Sequence, residues 1–290
     1  MDGVKAITND NLLECLSLIR VGFKMSMSRI ERLHDFILTT NISRGVFGYA
    51  FYSSGSLVGA ILTPYQGIIG KHSIVSLASF YMLPSFRGYR ALSFLKSVIN
   101  LSSAEYDIIT NYTPSKSVIK ILEAFGFQRM QFTSLRPDCI QMLRSFPTFV
   151  IRNLFGKRFY IKAFNVNHAK YYQNLESLQP ISEGKVIHFE IVGSIDPLPI
   201  KLSVISSNFK GIVPFFRILW SSNPEFVCNN WSQIQCAFFV SMRKLVFADI
   251  PGSIDFPCNH KIRLLDFYAY GTNLSGLSIC SLGSELMILD

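Results

Sequence analysis

The sequence predicts an α+β fold. We expect a mixed, mostly antiparallel sheet flanked by helices in residues 1–145, and a second, smaller α+β domain in residues 146–290. Two observations lead to this prediction. The chain of 290 residues is 49% hydrophobic, which is enough to bury a sizeable core. Short runs with the composition and alternation of strands also stand between runs whose apolar residues recur at helical spacing.

The first elements are a strand and two helices. VKAIT, residues 4–8, alternates as a short strand does, and an apolar-periodic run typical of a helix follows it. Within 28–40, Ile30, Leu33 and Ile37 lie at helical spacing with charged residues between them, so a second helix follows the first.

Three β-rich runs come next, and we expect three adjacent strands in an antiparallel meander. The runs are GVFGYAFYS, LVGAILTPYQGII and SIVSLASFYML, and the SGS segment between the first two is a hairpin signal. A turn with Pro84 and Gly88 then opens the helix ALSFLKSVIN. YDIITNYT is predicted as a strand, SKSVIKILEAF as a helix that Gly126 ends, and QRMQFTSLRP as a further strand.

The second half has a weaker pattern. KVIHFEIVG, LPIKLSVIS, LVFADI and SELMILD are predicted strands, and EFVCNNWSQIQCAFFVSMRK is a predicted amphipathic helix. FKGIVPFFRILW is basic and aromatic, which suits either a core element or contact with a membrane or a lipid-linked substrate. A degenerate second copy of the first fold remains an open alternative for this half.

Charge and cysteine content restrict the partners. The 28 Lys and Arg against 19 Asp and Glu give a net charge of +9, which favours anionic ligands. These residues are dispersed and no nucleic-acid-binding motif is present, so we expect no nucleic acid partner. Cys228, Cys236, Cys258 and His260 lack the spacing of a zinc site, and we expect no metal.

No apolar run approaches the roughly 18 residues of a membrane span, and no signal peptide is apparent. We therefore expect no integral membrane association and a cytoplasmic location. No sequence feature fixes an oligomeric state.

The segment SFYMLPSFRGYRALSFLKSVI, residues 79–99, joins a strand to a helix through a turn that contains Gly88. The backbone N–H groups of such a helix N-terminus converge, and the helix dipole adds positive potential there. The N-terminus of this helix therefore suits an anion such as phosphate, and Arg87 adds a cation beside it. A plain turn before a helix is the alternative.

The residues around this turn resemble the GCN5-related N-acetyltransferase (GNAT) superfamily. The family pattern V-x-P-x-x-R-G-x-G-x-G/A wraps the coenzyme A pyrophosphate, and Met82, Pro84, Arg87 and Gly88 fit it. The motif Phe125-Gly126-Phe127 is similar to the family's L-G-F, and the resemblance covers residues 4 to 137, approximately. More narrowly, DIITNYTPSKSVIKILEAFGFQRMQFTSLRP is similar to GNAT-like proteins associated with bacterial surface-polysaccharide gene clusters.

The resemblance implies a co-substrate, acetyl-CoA or another acyl-CoA, and a set of residues that bind it. These residues are Phe80, Met82, Arg87, Gly88, Tyr89, Arg90, Ala91, Leu92, Asn111, Ser115 and Ser117. The second half contains no Arg-Gly turn, so we expect no second coenzyme site there.

The sequence also departs from the family. Arg90 and Leu92 stand where the family has small residues, unless the turn is one residue shorter and Ala91 takes the place of Leu92. Leu122 stands where many members have a Tyr that acts as general acid. The usual Glu base is replaced by Ser76, Ser79 and Tyr81. Tyr81 and Tyr112 are our candidates for catalytic proton transfer, with packing in or beside the core as the alternative for each.

We expect an acyltransferase of GNAT type that passes an acetyl or similar group to an amine or hydroxyl. The acceptor would be a small molecule or a sugar intermediate. The alternative is a GNAT fold without chemistry, which binds acyl-CoA or another protein.

Overall fold

A computed structural model describes residues 3–41, 44–69, 71–112, 114–155, 160–163, 186–192, 200–209, 213–251, 262–272 and 274. The predicted strand SELMILD lies outside these residues, as do Cys258 and His260.

The described chain folds into the following helices and strands. The strands are β1 (Gly3–Ile7), β2 (Gly48–Ser53), β3 (Ser56–Leu62), β4 (Tyr65–Ile69), β5 (His72–Ser76), β6 (Ala78–Met82), β7 (Ile108–Asn111), β8 (Gln128–Leu135), β9 (Tyr160–Ala163), β10 (Val186–Val192), β11 (Ile200–Phe209), β12 (Val213–Ser221), β13 (Leu245–Pro251) and β14 (Ile262–Gly271). The helices are α1 (Leu12–Phe23), α2 (Met27–Asn41), α3 (Tyr89–Glu105), α4 (Lys116–Ala124), α5 (Cys139–Phe155), α6 (Pro224–Asn229) and α7 (Trp231–Met242).

The first sheet has four antiparallel strands in the order β1-β2-β3-β6. Its two faces carry alternate residues of each strand, and both faces are covered. Ala50 and Ala60 pack against side chains of α1 and α2, whereas Tyr49 and Ile61 share a core with α3. The α+β class and the mostly antiparallel sheet flanked by helices are therefore confirmed.

The second sheet has ten strands in the order β4-β5-β7-β14-β8-β13-β12-β11-β10-β9. Within the described ranges only the pairs β5–β7 and β12–β13 are parallel. Each parallel pair is joined through helices, as this connection requires.

The expected meander of three adjacent strands is wrong, because two of the three runs divide between the sheets. LVGAILTPYQGII breaks at Pro64 into β3 and β4, and SIVSLASFYML breaks at Leu77 into β5 and β6. Proline has no N–H for the strand ladder. The N–H of Leu77 donates to the carbonyl of Thr110, 2.7 Å away in β7, at the point where the chain leaves the second sheet.

The second half is an α+β unit. β10, β11 and β12 form an antiparallel meander, and α6 and α7 lead to β13, which is parallel to β12. The run FKGIVPFFRILW contributes β12, and the predicted amphipathic helix is divided into α6 and α7. A meander followed by helices and a parallel strand is also what a degenerate second copy would retain, and that interpretation stays a prediction.

The C-terminal strand β14 returns to the first half. It lies between β7 and β8 and is antiparallel to both. Its Tyr268 is 3% exposed and shares a core with Ile109 and Phe127. The sequence analysis assigned no strand to this segment, and the predicted boundary after residue 145 falls inside α5. We propose that residues 262–271 belong to the first domain.

Candidate functional site

A V-shaped opening separates β6 from β7. β5 and β7 are parallel neighbours up to Ser76 and Thr110. Beyond Leu77 the strand continues as β6, which pairs with β3 in the other sheet and leaves β7 behind. Ser79 has a positive φ of 52°, where an L residue is strained, and this backbone irregularity accompanies the change of direction. The opening thus lies at the carboxyl ends of two strands, where open sheets bind ligands.

Asn111 lies at the narrow end of the opening. Its Nδ2 donates to the carbonyl of Leu77 at 3.1 Å and so links the two diverging strands. Its Oδ1 is buried and accepts no hydrogen bond from the described residues. A buried acceptor without a donor is costly, so this atom suits a ligand that brings an N–H or O–H group.

β6 contributes a free peptide edge to the opening. The N–H of Leu83 donates to Val58 of β3 at 2.9 Å, and residues along a strand alternate between its two edges. The peptide groups of Phe80 and Met82 therefore point away from β3. The carbonyl of Met82 accepts a hydrogen bond from Arg87 Nε at 3.1 Å on this free side.

The N-terminus of α3 supplies a group of unpaired amides. Gly88 precedes the helix with φ 79° and ψ −132°, a conformation open essentially to glycine alone. The N–H of Leu92 donates to the carbonyl of Gly88 at 3.1 Å, so the first helical turn is formed. The N–H groups of Tyr89, Arg90 and Ala91 have no acceptor within the helix, and no side chain caps them.

The side chains of this first turn lie at the surface. Tyr89 is 83% exposed, and the Arg90 guanidinium carbon lies 5.3 Å from the centre of the Phe86 ring. Leu92 is 38% exposed, whereas Ala91 packs against the core beneath α3. The large residues at the two positions that are small in the family are thus accommodated on the outside of the turn.

Arg87 and Tyr81 lie next to each other. The Arg87 guanidinium carbon is 5.6 Å from the centre of the Tyr81 ring. Tyr81 is half-buried on the α1 side of β6, where its ring covers Gly22 and lies 6.0 Å from Phe23. Tyr81 therefore combines a phenol with a neighbouring cation at the edge of α1.

Phe80 and Met82 lie on the opposite, α3 side of β6. The Phe80 ring is 5.9 Å from Phe94 of α3, and Met82 is buried in the same core. The buried side chain of Met82 supports the strand, whereas Phe80 stays partly exposed.

Tyr112 occupies a separate cluster. It is 5% exposed, stacks on Phe267 at 5.2 Å, and packs with Ile74 and Ile108. Its hydroxyl is hydrogen-bonded to the side chain of Gln66 at 3.1 Å. The structure therefore does not bring this hydroxyl together with Tyr81 and Arg87.

The remaining predicted positions belong to α4. Ser115 is its N-cap residue, with its carbonyl accepting from Val118 and Ile119, and Ser117 lies in the first turn. Gly126 ends the helix with φ 87°, as predicted. Leu122, at the position of the family's tyrosine, is fully buried in the core.

The segments that line the opening carry no ordinary acid–base residue. Residues 77–92 and 111–117 contain no Asp, Glu or His.

Two buried cysteines lie away from the opening. Desolvation raises the pKa of Cys15 to about 12 and also raises the pKa of Cys236, so both are held as thiols. Within the described ranges, no group of three or more His, Cys, Asp or Glu side chains is placed to hold a metal ion.

The sequence alone matches no protein-family model and no curated protein. Solved structures do resemble the chain. One is a GCN5-related N-acetyltransferase from Kribbella flavida, with a TM-score of 0.61, 13% identity, and coverage of 93% of this chain and 71% of that chain. The chain has the GNAT fold.

Two further GNAT structures agree with this. A GCN5-related N-acetyltransferase from Anabaena variabilis has a TM-score of 0.59 and 12% identity, over 93% of this chain and 72% of that chain. A GCN5-related glucosamine N-acetyltransferase region of a fungal multi-domain GH3 β-N-acetylglucosaminidase has a TM-score of 0.56 and 11% identity, over 93% of this chain and 38% of that chain. Because each match spans both halves, these GNAT structures share the fold of the C-terminal half as well.

Some site residues were missed in the sequence. Gly22 lies inside the helical pattern of α1, where glycine destabilises a helix by about 1 kcal/mol relative to alanine. An interior glycine is a signal of close packing, and here the ring of Tyr81 occupies the space. The run of β14, IRLLDFYAYG, has the composition of a strand, but nothing in the sequence indicates that it pairs with β7 and β8.

Proposed function

We propose that this protein is an acyl-CoA-dependent acyltransferase that transfers an acetyl or similar group to an amine or hydroxyl. The observation that carries the proposal is the opening between β6 and β7, with a free peptide edge on one side and unpaired amides of α3 at its end. It is the arrangement that the GNAT fold provides for a coenzyme A thioester.

The described residues fit acyl-CoA as a co-substrate. The N–H groups of Tyr89, Arg90 and Ala91 suit the pyrophosphate, and Arg87, two residues before Tyr89, adds a cation at the same turn. The peptide groups of Phe80 and Met82 suit the amide-containing arm, as an added strand would. Asn111 Oδ1 offers an acceptor to an N–H of the same arm.

The chemistry requires little acid–base help. The bound thioester supplies an activated acyl carbon. The attacking nitrogen or oxygen forms a bond to that carbon, and the C–S bond breaks to release the thiolate. Amides at the β6 edge stabilise the developing oxyanion, and positioning supplies several kcal/mol of the barrier reduction. The proton of the attacking group leaves through water and ends on the released thiolate. The Tyr81 hydroxyl, whose ring lies beside Arg87, is our candidate for relaying it.

We further propose a sugar intermediate of bacterial surface-glycan synthesis as the acceptor, in the cytoplasm, where acyl-CoA is made. The similarity of DIITNYTPSKSVIKILEAFGFQRMQFTSLRP to proteins of such gene clusters supports this narrower proposal.

A second candidate is a non-catalytic acyl-CoA-binding or protein-interaction module. The observation that favours it is Leu122, which is fully buried and cannot protonate a leaving thiolate. The absence of Asp, Glu and His from residues 77–92 and 111–117 points the same way.

Calorimetric titration with acetyl-CoA tests the shared binding step. Gly88→Ala removes the backbone conformation that opens α3, and we expect the Kd to rise about tenfold or more. Gly55→Ala is the matched control, because Gly55 also has a positive φ (82°) and open space around it but lies in the β2–β3 hairpin. If folded wild type does not bind acetyl-CoA, or if both variants lose affinity equally, acetyl-CoA does not bind at the Gly88 turn.

Release of free thiol separates the two candidates. Wild type is incubated with acetyl-CoA and a panel of amines, amino sugars and sugar phosphates, and Tyr81→Phe is compared with it. We expect acceptor-dependent thiol release that falls by about 10²-fold or more in the variant. Coenzyme binding without release for any acceptor would favour the non-catalytic module.

A further inference from the structure

Helix α5 is apolar on two opposite sides. On one side Met142 and Phe149 are 8% and 6% exposed and pack in the core of the second half. The other side is also apolar but lies at the surface. It carries Ile140 (64% exposed), Leu143 (68%), Pro147 (exposed), Ile151 (58%) and Leu154 (70%), which we term the α5 stripe.

The spacing of the α5 stripe places its members on one face. They follow each other at intervals of 3, 4, 4 and 3 residues, which keeps them within an arc of about 80° on a helix. A surface helix normally has one apolar side, which faces the core, and a polar side opposite it. The stripe is a contiguous apolar surface in the part of the chain that the structure describes, and such surfaces mark interaction sites.

The border of the α5 stripe is positively charged. Arg144 lies exposed beside it, and Arg136 is exposed just before the helix. Neither α5 nor α7 contains an Asp or Glu. The nearest acid in sequence is Asp138, whose Oδ1 accepts from the N–H groups of Ile140 and Gln141 at 3.0 and 3.1 Å and so serves as the helix cap.

The neighbouring helix α7 extends this character. Trp231 Nε1 donates to the carbonyl of Arg136, and Cys236 Sγ donates to the carbonyl of Met142, so the two helices run in the same direction. α7 exposes Val240 by 44% and is followed by the exposed Arg243, whereas Lys244 Nζ donates to Ser206 Oγ at 2.8 Å and is not free for a ligand. The exposed cations at the α5 stripe are therefore Arg144 beside it and Arg136 just before it.

This charge distribution decides between the possible occupants. A second copy would bring Arg144 against another stripe with the same cations, and the nearest acid in sequence, Asp138, is already engaged in capping α5, so this pairing is unfavourable. A bilayer with anionic headgroups matches both features, because apolar side chains enter the interface while Arg and Lys contact lipid phosphates. No helix of the described chain is long and apolar enough to cross a membrane.

We propose that the α5 stripe docks this protein on the surface of a membrane that contains anionic phospholipid. The inference is independent of the proposed acyl transfer, since it uses none of the residues of the β6–β7 opening.

Vesicle flotation of the full chain tests the proposal. The vesicles are phosphatidylcholine alone, or phosphatidylcholine with about a third phosphatidylglycerol. We expect wild type to float with the anionic vesicles and much less with the neutral ones. The double substitution Leu143→Ser and Ile151→Ser should lower the bound fraction about tenfold, and Arg144→Gln should lower it less.

The control is the double substitution Leu13→Ser and Val21→Ser. It removes equally exposed apolar side chains (69% and 71%) from α1 and should leave flotation unchanged. Failure of wild type to float, or equal flotation by the α5 double variant, would overturn the proposal. Analytical sedimentation tests whether a second copy of the chain occupies the stripe instead. A dimer of wild type that the α5 double variant abolishes would assign the stripe to that second copy and overturn the proposal.

Discussion

Asn41 connects three segments at the point where the strand run breaks at Pro64. It is fully buried, and its Nδ2 donates to the carbonyls of Val46 and Thr63 at 2.7 and 2.9 Å. Its Oδ1 accepts from the N–H of Tyr65 at 3.1 Å. One side chain therefore satisfies backbone groups that the interrupted ladder leaves without partners.

We expect Asn41→Leu to destabilise the protein by about 3 kcal/mol or more, because several buried backbone groups lose their partners at once. Urea unfolding followed by circular dichroism measures the change. Asn100→Ala, at an exposed position of α3, is the control and should stay within about 0.5 kcal/mol of wild type. A similarly small effect for Asn41→Leu would mean that water supplies the hydrogen bonds that these backbone groups lose.

At the scale of elements, the contact of α1 with β6 places Tyr81. A Cβ atom at Gly22 would lie 2.2 Å from Cδ2 of Tyr81, so the helix approaches the strand only because this residue is glycine. The phenol is thereby held at the α1 edge of the opening, beside Arg87. The position of the Tyr81 phenol, a candidate catalytic group, thus depends on Gly22, which has no side chain.

Gly22→Ala should destabilise the protein by about 1–3 kcal/mol, since the ring of Tyr81 must move. In a Tyr81→Ala background the same substitution should instead stabilise it by up to about 1 kcal/mol, because the helix preference for alanine remains and the clash is gone. The double-mutant cycle is measured by thermal or urea unfolding. Additive effects would show that the two residues do not interact.

For the whole molecule, β14 connects the second half of the chain back to the first half. It pairs along its length with β8 and also with β7, and it buries Phe267, Tyr268 and Ala269. The ion pair of Arg217 with Asp249, which is 2% exposed, then links β12 to β13 further along the same sheet. The first half is therefore completed by a strand that follows the second half.

A fragment of residues 1–137 should not fold by itself, because β7 and β8 would lack the strand between them and expose an apolar core. We expect the same fragment joined through a flexible linker to residues 262–274 to recover native-like circular dichroism and cooperative unfolding. Cooperative folding of 1–137 alone would show that β14 is dispensable for the first domain.

Much of the fold could be predicted from local signals. Apolar periodicity located α1, α2, α3 and α4, and the positive φ of Gly88 and Gly126 fits the turns predicted at both glycines. The candidate site was harder to predict from the sequence. Arg87 and Tyr81 do lie together, but Tyr112, which directly follows β7, packs with Ile108 in another cluster, on the side of the sheet opposite Ile109.

Local sequence patterns are enough to predict the α+β class, most element positions and the Arg-Gly turn, because each depends on periodicity or on the conformational freedom of single residues. Long-range contacts instead specify which strands share a sheet, the opening between β6 and β7, and the return of β14 to the first half. Strand partners are chosen by burial and pairing between distant segments. Continuous β-rich runs such as SIVSLASFYML carry no local mark of the residue at which they change sheets.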